Sequence, residues 1–213
     1  MSSQRELHDH FFREAKRNGY RSRAAYKLIE IDDKKKIFNK GGSVLDLGAA
    51  PGSWLQVASQ RVGKHGNVVG VDLKEIEEMD IDRITLIHGD VNTLTPDFFK
   101  GELFDAILSD MAPNTTGTRA IDHHGSVRLC HTTIDLASNL LKPKGNLVMK
   151  VLEGEAYKDL LARATSYFEV AKGFKPKASR AISTEMYIVC TGKFEEVPPP
   201  TPTIKTAPTS GWD

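Results

Sequence analysis

The architecture of this chain turns on one segment, Val44-Leu45-Asp46-Leu47-Gly48-Ala49-Ala50-Pro51-Gly52-Ser53-Trp54. The apolar run 43–47 reads as a buried strand, and the helical stretch from about 54 to 62 follows a glycine-bearing turn. Strand, glycine turn and helix in that order form the opening unit of a doubly wound sheet, which binds ligands beyond the carboxyl end of its first strand. The turn is not the dinucleotide fingerprint GxGxxG. Ala50 stands at the middle glycine position, and Pro51 removes a backbone N–H that could have donated to phosphate. No GxxxxGK[ST] occurs either. The turn therefore suits a nucleoside cofactor without a diphosphate, and Ser53 with Gln56 has the spacing of a capping box that would start the helix.

The same alternation continues on both sides. Short apolar runs at 68–71, 84–87, 104–108, 146–150 and 186–190 read as strands. Helical periodicity marks 22–31, with Ser22 as N-cap and Ala25, Leu28 and Ile29 on one face, then 126–141 and 155–168. Strands alternating with helices imply a mostly parallel sheet covered on both faces. The 213 residues are 39% hydrophobic and 27% charged, with 17 Gly and 10 Pro, which excludes collagen, coiled coil and wholesale disorder. A single domain over 1–194 is expected, its first 40 residues a basic helical segment. The stretch 195–213, with Pro198, Pro199, Pro200, Pro202 and Pro208 among Thr and Ser, reads as a flexible tail. No run approaches the ~20 apolar residues of a bilayer span. The first twenty residues lack the apolar core of a secretion signal, and Cys130 and Cys190 form no CxxC. A reduced, cytoplasmic, monomeric protein without a metal site is the expectation; His123 and His124 read as loop or capping histidines.

A net charge of +1 conceals segregation. Residues 13–40 hold ten Lys/Arg against four acids, residues 75–110 ten acids against Arg83 and Lys100, and residues 142–180 nine Lys/Arg against four acids. One basic run alone is a solvated face; two that bracket an α/β core point to a polyanion. Asp72 closes the second strand about twenty residues past the turn, where an acid can accept both hydroxyls of a ribose. Asp90, in His88-Gly89-Asp90, stands where it could accept from an adenine amine. Either acid alone is as well read as a cap or turn residue. The ordered set of turn, Asp72 and Asp90 points to a nucleoside pocket.

DLGAAPGSW, VDL, GD and SDMAP occur in the order typical of class I S-adenosylmethionine-dependent methyltransferases. Tyr20 to Leu28 (YRSRAAYKL), Ser109 to Asn114 (SDMAPN), Val148-Met149-Lys150 and Lys175 to Tyr187 (KPKASRAISTEMY) narrow the match. Together they resemble the FtsJ/RrmJ-type RNA ribose 2′-O-methyltransferases from about residue 11 to 193, closest to members acting on large-subunit ribosomal RNA. Two features depart from that pattern: Ser53 stands where the family often has a second glycine, and the Pro/Thr tail has no counterpart. The resemblance implies a Rossmann-like fold with a seven-stranded, mostly parallel sheet. It implies S-adenosyl-L-methionine as cofactor, with Gly48, Gly52, Trp54, Asp72, Asp90 and Asp110 around it, and a catalytic set of Lys27, Asp110, Lys150 and Glu185. The implied reaction is 2′-O-methylation of a uridine ribose in large-subunit ribosomal RNA, free or in the assembled subunit. A transfer-RNA substrate, or a non-catalytic RNA-binding role, is the alternative.

On the residues themselves, Asp110 and Lys150 end strands next to the crevice, Glu185 opens the last strand, and Lys27 lies on the basic N-terminal helix. Two structural salt bridges, Lys27 with Glu185 and Lys150 with Asp110, are the competing reading of the same four residues. As base for a ribose hydroxyl, Lys150 must lose its own proton first. Lys27 and a cationic sulfonium favour that loss, and Asp110 and Glu185 oppose it; a charged Lys150 that only positions the oxygen is the alternative. Phosphate contacts are expected from Arg21, Arg23, Lys34, Lys35 and Lys36, with Lys175, Lys177 and Arg180 on the other flank.

Overall fold

The computed structural model describes residues 2–179 and 183–199. Its element order is α1 (Ser2–Arg17), α2 (Ala25–Lys35), β1 (Ser43–Leu47), α3 (Ser53–Val62), β2 (Asn67–Asp72), β3 (Ile84–His88), β4 (Phe104–Ser109), α4 (Arg119–Leu140), β5 (Leu141–Leu152), α5 (Tyr157–Thr165), β6 (Phe168–Phe174) and β7 (Glu185–Lys193). The seven strands form one sheet in the order β3-β2-β1-β4-β5-β7-β6. β1 to β5 run parallel, and β7 is antiparallel to both β5 and β6. The chain leaves β1 for β2 and β3, then returns to lay β4 on the other side of β1. The crevice of a doubly wound sheet opens at such a reversal, and the glycine turn after β1 sits there.

Period-two alternation decides which residues meet. Val44, Ala106, Leu108, Val148, Tyr187 and Val189 face one core, packed with Leu28 and Ile31 of α2 and Leu55, Val57 and Ala58 of α3. Leu45, Leu47, Ile107, Leu147, Met149 and Ile188 face the other, under Ile134 and Leu140 of α4 and Leu160 of α5. Burying a side chain such as Leu28 or Ile31 contributes roughly 1.5–3 kcal/mol. Counting by twos, Asp46 shares the face of Val44, Asp110 that of Leu108, Lys150 that of Val148 and Glu185 that of Tyr187. All four polar side chains therefore emerge on the side that α2 covers, and α2 carries Lys27.

Several local expectations are corrected. Ser22 is not the N-cap of α2; that position is Ala24, and Ser22 Oγ accepts from the Ala24 N–H and pairs with Ser53 Oγ at 2.8 Å. The Ser53/Gln56 capping box does not form. Gly52 is the N-cap of α3, and the Gln56 amide instead holds the Arg21 N–H and the Gly19 carbonyl, both at 2.9 Å. α4 starts at Arg119 rather than 126, since the Asp122 carboxylate collects the Thr116 N–H, Thr116 Oγ1 and Gly117 N–H and folds residues 116–118 onto the helix. His123 and His124 thus lie on a helix, not in a loop. The helix expected over 155–168 ends at Thr165, and β6 follows. β6 lies at the sheet edge with only Phe168 fully buried, so its sequence lacks the apolar run that marks the inner strands. At the end of the domain, Val197 packs on the α4/α5 core and Tyr167 Oη donates to the Pro199 carbonyl at 3.4 Å. Arg180 and residues 200–213, which include most of the Pro/Thr tail, lie outside the described residues. Among the described residues, no helix is long and apolar enough to cross a membrane.

Candidate active site

The crevice begins at the turn. Gly48 has φ 74° and lies under Met111, whose Cγ would come within 2.5 Å of any Cβ there, so the position requires glycine on both counts. The turn is held from β2: Asp72 Oδ2 accepts the Ala50 N–H at 2.9 Å, and its Oδ1 accepts the Lys74 N–H at 2.7 Å. A carboxylate has about four acceptor sites, so Asp72 keeps capacity for a ligand hydroxyl. Asp90 caps the 3-10 turn Val91–Thr93 through the Asn92 N–H and side-chain amide. Trp54 is buried; its Nε1 donates to the Ala24 carbonyl and its ring lies 5.7 Å from that of Tyr187. It acts as a prop that fixes the start of α2 against the sheet.

The four sequence-identified charged residues do come together. Lys27 Nζ lies 2.6 Å from Glu185 Oε1, with both side chains nearly buried. Lys150 Nζ lies 3.1 Å from Asp110 Oδ1 and donates to the Asp110 carbonyl at 2.5 Å. The two ion pairs of the competing reading are present, and they are not separate. Tyr187, fully buried between them, donates its hydroxyl to Asp110 Oδ1 at 2.7 Å, while Lys27 Nζ stands 5.9 Å above its ring. Burial works to raise the Glu185 carboxyl. The Lys27 ammonium first, then Lys150 and the Ser179 hydroxyl at 3.0 Å, overcome it and hold that carboxyl below its usual range. Burial pushes the Tyr187 hydroxyl far up, helped by the Asp110 and Glu185 carboxylates, so it stays a donor. Beneath Lys150, Cys130 Sγ donates to its carbonyl at 3.0 Å; burial pushes that thiol up to about 12, against a small opposing pull from Lys150.

Sequence reasoning missed two members of this site. Tyr187 sits inside a quoted motif, and a tyrosine two residues beyond Glu185 on the same strand face was the available signal. Asp46 is the second. It is fully buried, both carboxyl oxygens lack a hydrogen-bond partner among the described residues, and it lines a cavity of about 100 Å³ with Gly48, Ala50, Pro51, Ser53 and Asp110. Burial first, and then the Asp110 and Asp72 charges, drive its pKa well above the ordinary carboxyl value. A buried carboxyl with no partner is costly and protonates. A cationic or N–H-bearing ligand end in that cavity would supply the missing partner, so the turn, the orphaned acid and the Asp72 carboxylate fit a nucleoside cofactor that carries a positive charge.

The basic residues divide. Arg21 is engaged inward: its guanidinium donates to the carbonyls of Pro51, Glu77 and Glu78 at 2.7–3.0 Å, tying the loop after β2 to the glycine turn. Arg23, on the same segment, is half-buried and also has an interaction partner. Lys34, Lys35 and Lys36 end α2 as exposed side chains, and Lys34 and Lys35 stand 5.3 and 6.0 Å from the Phe174 ring. The Lys177 N–H donates to Glu30 at 2.7 Å, which binds the second basic stretch to α2. Lys175 donates to the Ser183 carbonyl at 3.0 Å. The two stretches therefore form one basic face beside Lys27 and Glu185. Among the described residues, no group of three or more His, Cys, Asp or Glu side chains is placed to hold a metal ion.

The FtsJ-like methyltransferase family matches residues 20–193. A protein of Halorubrum lacusprofundi called ribosomal RNA large subunit methyltransferase E is 40% identical over 210 residues, covering 96% of this chain and 74% of that one. One of the same name from Methanobrevibacter smithii is 42% identical over 186 residues, covering 85% and 89%. Among solved structures, one described as a ribosomal RNA methyltransferase from Plasmodium falciparum superposes with a TM-score of 0.73 at 29% identity, over 82% of this chain and 99% of that one. Fibrillarin of Aeropyrum pernix, solved with natively bound S-adenosyl-L-methionine, shares the fold at a TM-score of 0.56 and 17% identity, over 79% and 73%. The motif order, the crevice at the sheet's reversal and these matches agree: the chain belongs to the FtsJ-like methyltransferase family.

Proposed function

We propose that this protein transfers a methyl group from S-adenosyl-L-methionine to the 2′-hydroxyl of a ribose, that of a uridine, in large-subunit ribosomal RNA. The observation that carries the reading is the pair of ion pairs, Lys27–Glu185 and Lys150–Asp110, joined through Tyr187 at the mouth of the crevice. The similarity to large-subunit ribosomal RNA methyltransferases supports RNA as the substrate, and a paired lysine at the crevice supports a hydroxyl as the acceptor.

When bound, the cofactor supplies a methyl activated on a positively charged sulfur, so the C–S bond breaks as the O–C bond forms and a neutral thioether leaves. The glycine turn with Gly48 and Gly52 would cradle it, Asp72 would accept from its ribose and Asp90 from its adenine amine. Asp46 and Asp110 would face its charged end. Lys150 acts as base. For this its ammonium first gives up one proton to solvent; the neutral amine keeps its two N–H groups on the Asp110 carbonyl and carboxylate and turns its lone pair to the 2′-oxygen, whose proton it takes as the methyl arrives. Asp110 orients Lys150, itself anchored by Tyr187. Lys27 and Glu185 hold the ribose and its phosphate, a positioning contribution. The basic face of Lys34, Lys35, Lys36, Lys175 and Lys177, with Arg23 and Arg180, takes the flanking phosphates.

Transfer of labelled methyl to unmodified ribosomal RNA, free and in assembled subunits, tests this. The label is expected at an alkali-resistant position, because a 2′-O-methyl blocks attack on the neighbouring phosphate. Lys150→Ala should lower transfer by about 10²–10⁴-fold, as loss of a proton acceptor does, while cofactor binding persists. Normal turnover by that variant, or label on a base, would overturn the reading.

A further inference from the structure

A second cavity, of about 450 Å³, lies away from the glycine turn. It lies between the start of α4, the loop joining β5 to α5, and Thr184, with Arg119, His123, Glu153, Gly154 and Glu155 in its wall. It begins where the catalytic strands end. Lys150 pairs with Tyr187 and Leu152 with Glu185; the next bond along the ladder runs from the Glu153 N–H to the Thr184 carbonyl, at 2.8 Å. Three residues of strand, about 10 Å, separate Lys150 from Glu153, a distance on the scale of one nucleoside. Its volume lies within the range of ligand pockets, about 300–1,000 Å³.

The lining selects a class of occupant. Glu153 and Glu155 line it with Arg119, and His124 Nε2 lies 3.1 Å from Glu155 Oε1, so the wall mixes acceptors and donors, unlike the basic face beside it, which attracts phosphate. Arg119 is exposed and makes no hydrogen bond or ion pair among the described residues. The Glu153 carboxylate has only a distant ammonium, Lys175 at 3.9 Å. With the Thr184 hydroxyl, these offer two donors and an acceptor, the complement of a pyrimidine edge with its two acceptors and one donor. The back wall is fixed. His123 is 2% exposed and donates through Nδ1 to the Leu152 carbonyl at 2.7 Å, while its Nε2 accepts the Ala156 N–H at 3.0 Å. Gly154 presses on that ring so closely that a Cβ would fall 2.3 Å from His123 Cγ, so this wall of the cavity packs as it does only with glycine at residue 154.

We propose that this cavity seats the pyrimidine base of the nucleotide whose ribose faces Lys150, with Arg119, Glu153 and Thr184 reading its edge. The inference rests on the ribose reading above, and two measurements separate them. Large-subunit RNA transcribed with 4-thiouridine should photocrosslink to peptides holding residues 119–123 or 153–155, and Gly154→Leu should remove those crosslinks while those on the basic face remain. Crosslinks confined to the basic face would overturn the cavity assignment whether or not methyl is transferred. In the second measurement the target base is deleted, leaving an abasic ribose with its 2′-hydroxyl. Wild-type kcat/KM should fall about 10–100-fold, the worth of one or two lost hydrogen bonds to charged groups. An Arg119→Ala, Glu153→Ala double variant, with unchanged cofactor affinity, should lose less than about threefold further on base deletion. Equal sensitivity in variant and wild type would overturn the assignment. Crosslinks in the cavity with no ribose methylation would leave the cavity and sink the reaction.

Discussion

Two acids that line the same crevice are treated in opposite ways. Asp110 is met by the Lys150 ammonium and the Tyr187 hydroxyl. Asp46, one strand away on the same sheet face, has no hydrogen-bond partner among the described residues and is pushed toward its neutral form by burial and by Asp110 itself. One crevice thus holds a fixed, compensated charge beside an uncompensated carboxyl. Compensation at Asp110 keeps the ion-paired groups in place; its absence at Asp46 comes at a cost to the free protein. The paired cluster is built in finished form here, and the acid beside it is left incomplete.

Removing the cation from the compensated acid should break the contrast most severely. Lys150→Ala leaves Asp110 with one hydroxyl partner, so beyond its loss of transfer it should destabilise the fold by about 1–3 kcal/mol, the cost of an underpaired, partly buried group, read by chemical denaturation. Asp46→Asn should do the reverse. Because the folded carboxyl binds its proton more tightly than the unfolded one, it is neutral for stability below about pH 4, the unfolded pKa, and increasingly destabilising above it. The asparagine variant should therefore melt higher than wild type at pH 7, by about 2–4 °C for each kcal/mol relieved, equal to it near pH 4, and bind cofactor more weakly. A lower melting point at pH 7 would mean that Asp46 is compensated after all. Tyr187→Phe removes one of the two partners of Asp110 and keeps the ring packed on Trp54; a loss of about 1 kcal/mol and roughly tenfold in transfer is expected. The smallest effects sharpen the division among the basic residues. Each alanine at Lys34, Lys35 or Lys36 should lower the salt dependence of RNA binding by about 0.7–0.9 in log–log slope. Arg21→Ala should leave that slope nearly unchanged and weaken cofactor binding, since its donors are already held by the carbonyls of Pro51, Glu77 and Glu78.

The inner strands and the turn were legible because they are buried on both faces, so their apolar runs stand out around Leu45, Ile107 and Leu147. Lys27, Asp110, Lys150 and Glu185 were legible through motif order, and period-two counting places the last three on one face. β6 was not, since an edge strand needs little apolar character. The capping box failed because Gln56 has a better use in holding Gly19 and Arg21, a contact with a segment distant in sequence. Asp46 illustrates the limit. Its letter stands in plain view within VLDLG, but whether an acid in a strand is satisfied depends on neighbours that only the folded sheet supplies. Here those are Gly70 of β2 and Leu108 of β4, neither of which has a polar side chain.

The burial of Cys130 against the carbonyl of Lys150 gives this protein a built-in clock. Thiol reagents attack the thiolate, and at neutral pH a thiol pushed up to about 12 presents almost none. Cys190, on β7 beside it, is driven in the same direction by burial. Alkylation at these two positions can proceed only through openings that lift α4 or part β7 from β5, and its rate counts those openings. Rates compared with and without bound cofactor or RNA would report how firmly each ligand closes the strand that carries Lys150, without a probe being added to the chain.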